Sequence, residues 1–277
     1  IPNGLVCAPS TDDVQIRLDQ TPTASAAGAD QSGATAVCGN STTLAANTPA
    51  IGTGGGSIVR GAGGAFVNAT SPTTVFSGTA GVTYVLRWTI SNGVCAASTD
   101  DVTIQLDQNP TTSAAGADQN ICGTSATLTA NTPVIGTGGW TIVSGAGGGF
   151  TDATDPGTLF TGTAGVTYVL RWTITNGLVC APSTDDVQIR LDQTPTASNA
   201  GADQSGATAV CGNSTTLAAN TPAIGTGAWS IVSGAGGSFV SSTNPTTVFN
   251  GVAGTTYVLR WTISNGVCAA STVVGTI

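Results

Sequence analysis

An internal repeat limits what this sequence can fold into more than any other feature. The letters TYVLRWTI occur three times, and their tryptophans, Trp88, Trp172 and Trp261, lie 84 and 89 residues apart. Residues 3–25 also recur letter for letter at residues 176–198, so the unit of near-identity is a pair of repeats, 173 residues long. A fixed period of this kind predicts a tandem array of similar folded units.

The phase of the repeat predicts the domain boundaries. We expect residues 1–20 to be the end of a preceding repeat, followed by complete repeats at residues 21–108, 109–193 and 194–277. The sequence opens in the middle of a motif, so we expect it to be a piece of a longer protein. The linkers DQNP and DQTP are short and contain proline, which favours an extended, fairly stiff rod over a flexible chain.

The alternation of side chains predicts that each repeat is built from β-strands. In residues 83–91 every second side chain is large and apolar, Asn92-Gly93 follows as a hairpin signal, and the alternation resumes up to Asp107. Shorter strands are expected at residues 24–29, 42–46 and 140–144, and around Phe66 and Val75. Roughly six or seven short strands in about 85 residues predict an all-β fold of tandem immunoglobulin-like β-sandwiches, with an up-and-down barrel as the alternative. Tyr84 also resembles the tyrosine corner of such sandwiches.

The composition argues against several classes of function. Charged residues make up 7% of the chain, all cations are Arg, all anions are Asp, and the net charge is -8. A chain this acidic lacks the basic surface that nucleic acid or an anionic membrane requires. It also has no His, Glu or Lys, so the usual general bases are missing and no lysine follows the glycine-rich loops. We therefore predict a protein that is not an enzyme and has no nucleic-acid or membrane-inserting role.

The seven cysteines fall into two series. One cysteine precedes the second strand of each repeat, and the other follows the final hairpin turn. Similar separations predict disulfides within each repeat, namely Cys38–Cys95, Cys122–Cys180 and Cys211–Cys268, with the partner of Cys7 lying upstream. Metal binding is disfavoured because the chain has no His and no close Cys-x-x-Cys spacing. Disulfides in turn indicate an oxidising, extracellular location.

Aspartates are the candidate metal ligands. Asp is a hard oxygen ligand, so calcium is a possible cofactor at the domain junctions. The candidate ligands are Asp30, Asp100, Asp101, Asp118, Asp185, Asp186 and Asp203. The alternative is that these carboxylates cap turns or keep the surface soluble. The last repeat has Val273-Val274 in place of the Asp pair, so we do not expect such a site there.

Several sequence blocks recur across the repeats, and their combination resembles a known family. AGADQ, IVSGAGG, TYVLRWTI and STDDV are similar to blocks in the repeats of giant Bacteroidota cell-surface adhesins, the SprB-like gliding-motility group. The resemblance implies tandem immunoglobulin-like domains, export by the type IX secretion system and display as long surface filaments. The first repeat departs from the pattern at Gly56, where the others have Trp140 and Trp229, and at Arg60, so we expect its core to be looser.

These observations predict a structural stalk segment of a repetitive extracellular adhesin or surface filament, which mediates attachment and gliding motility. Its partners would be other repeats of the same long chain, or like chains in a filament. One alternative is a self-assembling fibre, in which the strand Ser10–Asp19 pairs with another chain. The other alternative is a glycan-binding accessory module of a secreted enzyme.

Overall fold

The computed structural model describes residues 9–277, and the regular elements in this range are β-strands and two three-residue 3-10 turns, Gly33–Thr35 and Gly206–Thr208. The chain divides into two compact units. One contains the residues up to Asn109 together with Asn176–Ala181, and the other contains Pro110–Thr175 together with Pro182–Ile277. The predicted all-β class is confirmed, while the predicted boundaries between repeats stay a prediction.

The strands follow the sequence repeat. In the first repeat they are β1 (Val37–Cys38), β2 (Ser41–Thr43), β3 (Thr53–Arg60), β4 (Ala65–Phe66), β5 (Val75–Ser77), β6 (Thr83–Ser91) and β7 (Ser98–Asp107). In the second they are β8 (Gln119–Cys122), β9 (Ser125–Thr127), β10 (Thr137–Ser144), β11 (Gly149–Phe150), β12 (Leu159–Thr161), β13 (Thr167–Thr175) and β14 (Ser183–Asp192). In the third they are β15 (Ser214–Thr216), β16 (Thr226–Ser233), β17 (Ser238–Phe239), β18 (Val248–Asn250), β19 (Val258–Asn265) and β20 (Cys268–Thr276).

The strand order identifies the sandwich type. In the first repeat, one sheet has the order β1-β7-β6-β3 and the other has the order β2-β5-β4. The second repeat has the same two sheets, and in both repeats the short first strand runs parallel to the last one. One sheet therefore contains strands two, four and five, and the facing sheet contains strands three, six and seven. This is the arrangement of an immunoglobulin-like sandwich. The third repeat forms the sheets β16-β19-β20 and β15-β18-β17.

Each repeat has its own hydrophobic core between its two sheets. In β13, every second side chain from Tyr168 to Ile174 is fully buried, and this face packs against Phe160 of the opposite sheet. The period of two in the sequence therefore places one face of the long strand inside the sandwich. Gly138 lies directly beside Trp172, where a Cβ atom would overlap the indole ring, so the absence of a side chain there lets the tryptophan pack against β10.

The predicted tyrosine corner is present in all three repeats. The Tyr168 hydroxyl donates a hydrogen bond of 2.8 Å to the carbonyl of Ala146 and accepts one of 2.8 Å from the backbone N–H of Thr163, five residues upstream. Tyr84 and Tyr257 make equivalent pairs of bonds. These bonds fix the connection that enters the long central strand.

The strand predicted at residues 24–29 is absent from the structure, and side chains explain why. The backbone N–H groups of Ser25, Ala26 and Ala27 donate to the hydroxyl of Ser98, the amide oxygen of Asn47 and the carboxylate of Asp100. Side-chain oxygens therefore take the place of a neighbouring strand's carbonyls, and the segment stays extended without forming a ladder.

Gly56 changes the core of the first repeat. In the second repeat, Trp140 stacks on Phe150 at a ring-centroid distance of 6.2 Å and lies 5.1 Å from the ring of Trp172. In the first repeat, Gly56 leaves a cavity of about 20 Å³ beside Phe66. A space of this size is comparable to the room that one water molecule needs.

Candidate functional site: the repeat junctions

The candidate site is the contact between the final hairpin turn of one repeat and the end of the preceding repeat. In the third repeat, the turn joins β19 to β20 through Asn265 and Gly266. Gly266 has a φ of +53°, a left-handed conformation that glycine adopts without strain, which is why an Asn-Gly pair marks this turn. The turn lies against the C-terminal end of β14, at Asp192.

Polar bonds hold this turn in place. The backbone N–H of Val267 donates a 2.8 Å hydrogen bond to the Asp192 carboxylate. The side-chain amide of Asn265 donates a 2.6 Å bond to the carbonyl of Gln193. The Asp192 carboxylate also accepts a bond from Arg190 at 2.7 Å, and the Asp192 side chain is only 4% exposed. The Val267 N–H, followed by Arg190, holds the pKa of Asp192 below its ordinary value, because both favour the ionised carboxylate.

A disulfide closes the same junction. Cys122, in β8, pairs in parallel register with Asp192 of β14, so its thiol lies beside the docked turn. There it is bonded to Cys268, with a Cα–Cα distance of 4.8 Å. The bond thus links an early strand of the second repeat to the hairpin of the third.

The same arrangement is present at the next junction upstream. Cys38 pairs in register with Asp107 and is bonded to Cys180, with a Cα–Cα distance of 5.0 Å. The Asn176 side chain donates a 2.7 Å hydrogen bond to the carbonyl of Gln108. This hairpin carries an extra residue, Leu178, and here one buried carboxylate oxygen of Asp107 has no hydrogen-bond partner among residues 9–277.

A third copy of the junction lies at the N-terminal end of the described chain. The side-chain amide of Asn92 donates a 2.8 Å bond to the carbonyl of Gln20, and the backbone N–H of Val94 donates a 3.2 Å bond to the Asp19 carboxylate. The Cys95 sulfur lies 3.5 Å from the Asp19 carbonyl oxygen. Cys95 therefore occupies the position that Cys180 and Cys268 occupy at the other two junctions.

The predicted cysteine pairs, Cys38–Cys95, Cys122–Cys180 and Cys211–Cys268, are wrong. The two cysteines of one repeat lie at opposite ends of the same ladder, because Cys180 follows the hairpin at one end of β13 and β14 whereas Cys122 lies at the other. Eight paired positions separate these ends, which at about 3.3 Å per residue is roughly 25 Å. A disulfide cannot span such a distance. Cys95 and Cys211 form no disulfide within residues 9–277, and Cys7 lies outside that range.

The proposed calcium ligands are used to hold the backbone. Asp30, Asp118 and Asp203 each accept a hydrogen bond of 2.8 Å from a backbone N–H of the last strand in their own repeat. Asp100 and Asp185 accept bonds of 2.7 Å from Ala27 and Ala115, on the segments that replace the predicted first strand. These five carboxylates therefore cap extended segments, in keeping with the alternative interpretation of the sequence.

The remaining two candidates, Asp101 and Asp186, form two-pronged ion pairs with Arg87 and Arg171 across neighbouring strands. The arginine hydrogen bonds lower the pKa of both carboxyl groups. No group of three or more potential His, Cys, Asp or Glu ligands comes together within residues 9–277. Calcium binding by these aspartates therefore stays a prediction.

Sequence reasoning missed the residues that build the junctions, above all Asp192, Gln193 and Asn265. A signal for them is present, because Asp-Gln occurs at residues 19–20, 107–108 and 192–193, and an Asn-Gly pair follows each of them 69 or 73 residues later. The described part of the chain contains no helix with the length and hydrophobicity that a membrane span requires.

No protein-family model matches the chain, and no curated protein does either. Among solved structures, the immunoglobulin domains 1–5 of Sidekick-1 are similar, with a TM-score of 0.41 and 10% identity over 94% of this chain and 59% of that chain. Drosophila OTK extracellular domains 3–5 have a TM-score of 0.36 and 11% identity, covering 92% of this chain and 96% of that chain. Human CDH23 EC21-23 has a TM-score of 0.35 and 13% identity, covering 85% and 92%. The fold assignment above comes from the strand order of this chain and does not depend on these similarities.

Proposed function

We propose that the chain is a stalk segment of a repetitive extracellular bacterial adhesin or surface filament, with a mechanical rather than a catalytic role. The support is the construction of the junctions. Each combines a docked turn, side-chain hydrogen bonds to the linker backbone and a position for a covalent bond between successive repeats.

The interleaving of the two disulfides carries this proposal. Along the chain the four bonded cysteines run in the order Cys38, Cys122, Cys180, Cys268, and the bonds join the first to the third and the second to the fourth. A tensile load that enters at one repeat is therefore passed to the next by a covalent bond as well as by the linker. Disulfides within each repeat would protect individual sandwiches and leave the linkers as single strands of backbone.

The location and biological setting are also part of the proposal. Disulfides persist in oxidising compartments, which supports an extracellular location. The family resemblance of the repeats supports a bacterial surface adhesin of the Bacteroidota type, exported by type IX secretion and used in attachment and gliding. Other repeats of the same long chain would be its immediate partners.

Antibodies raised against the 277-residue chain provide the first test. On intact cells of the source organism we expect immunogold label along threads outside the cell, and label confined to the cell interior would contradict the proposal. A strain with Cys122→Ser and Cys268→Ser should keep its surface label but detach at lower shear than the parent strain. The matched control is Val134→Ser, which changes an exposed loop residue and should leave detachment unchanged.

If the double variant detached at the parent's shear, the junction disulfides would have no mechanical role. Specific binding of the purified chain to a glycan array would instead favour the accessory-module alternative.

A further inference from the structure

The first repeat lacks an aromatic ring that the other two repeats share. Gly56 stands in β3 where Trp140 stands in β10 and Trp229 in β16, and all three positions pair with the tryptophan of the neighbouring long strand. Trp140 and Trp229 are 3% and 5% exposed, so in their repeats this indole ring lies inside the sandwich. Gly56 therefore removes a large buried side chain from the core of the first repeat.

The neighbouring rings keep their positions although this indole is absent. Phe66 and Phe76 have a centroid distance of 5.3 Å, and the equivalent pairs in the second and third repeats have distances of 5.4 and 5.3 Å. A Cβ atom on Gly54 would meet the same atoms of the Trp88 ring that the equivalent glycines would meet in the other repeats. A slot therefore remains between Phe66 and Trp88, where the other repeats hold an indole.

The backbone around this slot, hereafter the Gly56 slot, is also unchanged. The N–H of Gly56 donates a 2.7 Å hydrogen bond to the carbonyl of Ala69, and the tryptophans at this position in the other repeats make the equivalent bond at 2.8 and 2.7 Å. The carbonyl of Pro72 accepts the N–H of Ala46 at 3.0 Å, compared with 3.1 Å in both other repeats. The loop that covers the slot thus keeps its place without the ring beneath it.

The Gly56 slot is thin and mostly apolar. Its walls include Leu44, Phe66, Leu86, Trp88 and Val102. The centre of a water molecule has about 20 Å³ of room there. Carbon atoms in contact with both faces of a ring, at about 3.5–4.0 Å, leave that centre a layer only about 1 Å thick, so 20 Å³ corresponds to a layer of about 20 Å², which suits a fused double ring. Water finds few hydrogen-bond partners between such walls.

We propose that the Gly56 slot binds a small, flat aromatic molecule of the size of free indole. In the other two repeats, the ring at this position stacks on the phenylalanine opposite at 6.2 and 6.3 Å, with interplanar angles of 20° and 19°. A free ring can make the same contacts with Phe66 and Trp88, because both walls are already in place. Binding removes the apolar surface of the ligand from water, which drives the association.

One polar contact favours a ring that carries an N–H group. In the third repeat, Nε1 of Trp229 donates a 3.3 Å hydrogen bond to the carbonyl of Pro245. The equivalent residue of the first repeat, Pro72, lines the Gly56 slot. Trp140 is accommodated without such a bond in the described part of the chain, so the shape of the ring matters most. We therefore expect indole to bind about two- to tenfold more tightly than benzofuran, which has the same shape without the donor.

The backbone at Gly56 excludes a ring that carries a side chain. In Trp140 and Trp229 the ring is joined to the strand through Cβ, so the edge that bears this bond faces the backbone. At Gly56, a Cβ atom would lie 3.3 Å from the Phe66 ring, and any further atom would meet the backbone of β3. A substituent at this edge of a free ring therefore clashes, and the site selects unsubstituted indole over tryptophan.

Calorimetric titration of the 277-residue chain with indole tests the proposal. We expect one saturable site with a dissociation constant of about 1 mM or lower. Gly56→Trp should abolish binding, because its own ring fills the slot as in the other repeats. The matched control is Gly55→Trp, which adds the same ring at the neighbouring position, where a Cβ atom meets open space, and should bind indole like the wild type.

Trp140→Gly provides the reverse test. It opens the equivalent slot in the second repeat, and the first repeat shows that the fold accepts glycine at this position. The variant should bind two indole molecules per chain, and a single site would contradict the argument that the frame selects the ring.

Nuclear magnetic resonance locates the ligand without any substitution. Protons of bound indole should show Overhauser contacts to the methyl groups of Leu86 and Val102, which line the Gly56 slot. N-acetyltryptophanamide should not displace indole, and displacement would identify a site for a tryptophan side chain of a partner instead.

Three results overturn the proposal, namely no binding at millimolar indole, binding that survives Gly56→Trp, or contacts confined to methyl groups outside the slot. The inference rests on the difference between the first repeat and the other two and does not require an adhesive function. Antibody labelling of cells can therefore succeed or fail separately from these results.

Discussion

The interleaved disulfides predict how far the chain can be stretched. When force is applied outside Cys38 and Cys268, the shortest covalent path crosses the bond to Cys180, returns along the backbone to Cys122, and crosses the second bond. This path contains about 58 residues, compared with about 230 when both bonds are reduced. At about 3.3–3.6 Å per extended residue, reduction should lengthen the fully unfolded chain by about 570–620 Å.

The total gain on reduction is the same if the cysteines pair within repeats, so a double variant provides the decisive measurement. With Cys122→Ser and Cys268→Ser, the remaining path in the observed arrangement is the backbone from residue 180 to residue 268, about 88 residues. It is therefore longer than the oxidised wild-type path by about 30 residues, or about 100–110 Å. If the cysteines paired within repeats, the same variant would lose two bonds. The shortest covalent path would then lengthen by about 115 residues, or about 380–415 Å.

Single-molecule force spectroscopy measures this difference directly. Handles at Gln20 and Ile277 lie outside the bonded cysteines, and Ser125→Ala, in a short strand that contains no cysteine, is the matched control with no expected change in contour length. A gain near 400 Å in the double variant would refute the connectivity, and no gain at all would show that the bond between Cys122 and Cys268 is not formed.

Three further predictions concern the stability of the second repeat and its junction, and urea unfolding of the oxidised chain followed by tryptophan fluorescence checks all of them. Tyr168→Phe should lower the free energy of unfolding by about 0.5–1.5 kcal/mol, because it removes both hydrogen bonds of the buried tyrosine hydroxyl. An unchanged midpoint would contradict the role given to the corner. Gly138→Ala should cost about 1–3 kcal/mol because the new methyl group overlaps Trp172. Gly139→Ala, with open space around its Cβ position, should instead stabilise by about 0.5–1 kcal/mol, and equal effects of the two would argue against the packing described. Asp192→Asn should lower the free energy of unfolding at neutral pH. The difference in free energy between the variant and the wild type should shrink as the pH falls below 3.8, because the pKa of Asp192 is lowered in the folded state and the stabilisation by its carboxylate is lost on protonation. A difference that does not change with pH would show that the charge is irrelevant.

The long strands were predictable because a single physical rule determines them. Large apolar residues at every second position can all be buried only if the segment is a strand with one face in the core, and the predicted limits of residues 83–91 agree with β6. The segment at residues 24–29 has no such pattern. Its partners are the side chains of Ser98, Asn47 and Asp100, which are distant in sequence, so local pattern could not reveal that the segment stays outside the sheet.

The junctions could not be predicted because spacing alone does not determine which cysteines meet. In a tandem repeat, the separation between two cysteines of one unit and that between cysteines of neighbouring units are equally regular. The choice depends on which end of the ladder each cysteine occupies, and that follows from the parallel pairing of β8 with the end of β14. The aspartates show the same limit, because residue type suggested metal ligation while the three-dimensional neighbours are backbone N–H groups.

The crossed order of the two bonds has a consequence for proteolysis. Three backbone segments, residues 38–122, 122–180 and 180–268, connect the same two cross-linked points. A protease that cuts any one of them once leaves the polypeptide in a single covalent piece, and so does a further single cut in a second segment. In the proposed extracellular setting, the chain would therefore stay in one covalent piece after damage that would sever an ordinary string of domains at its first broken linker.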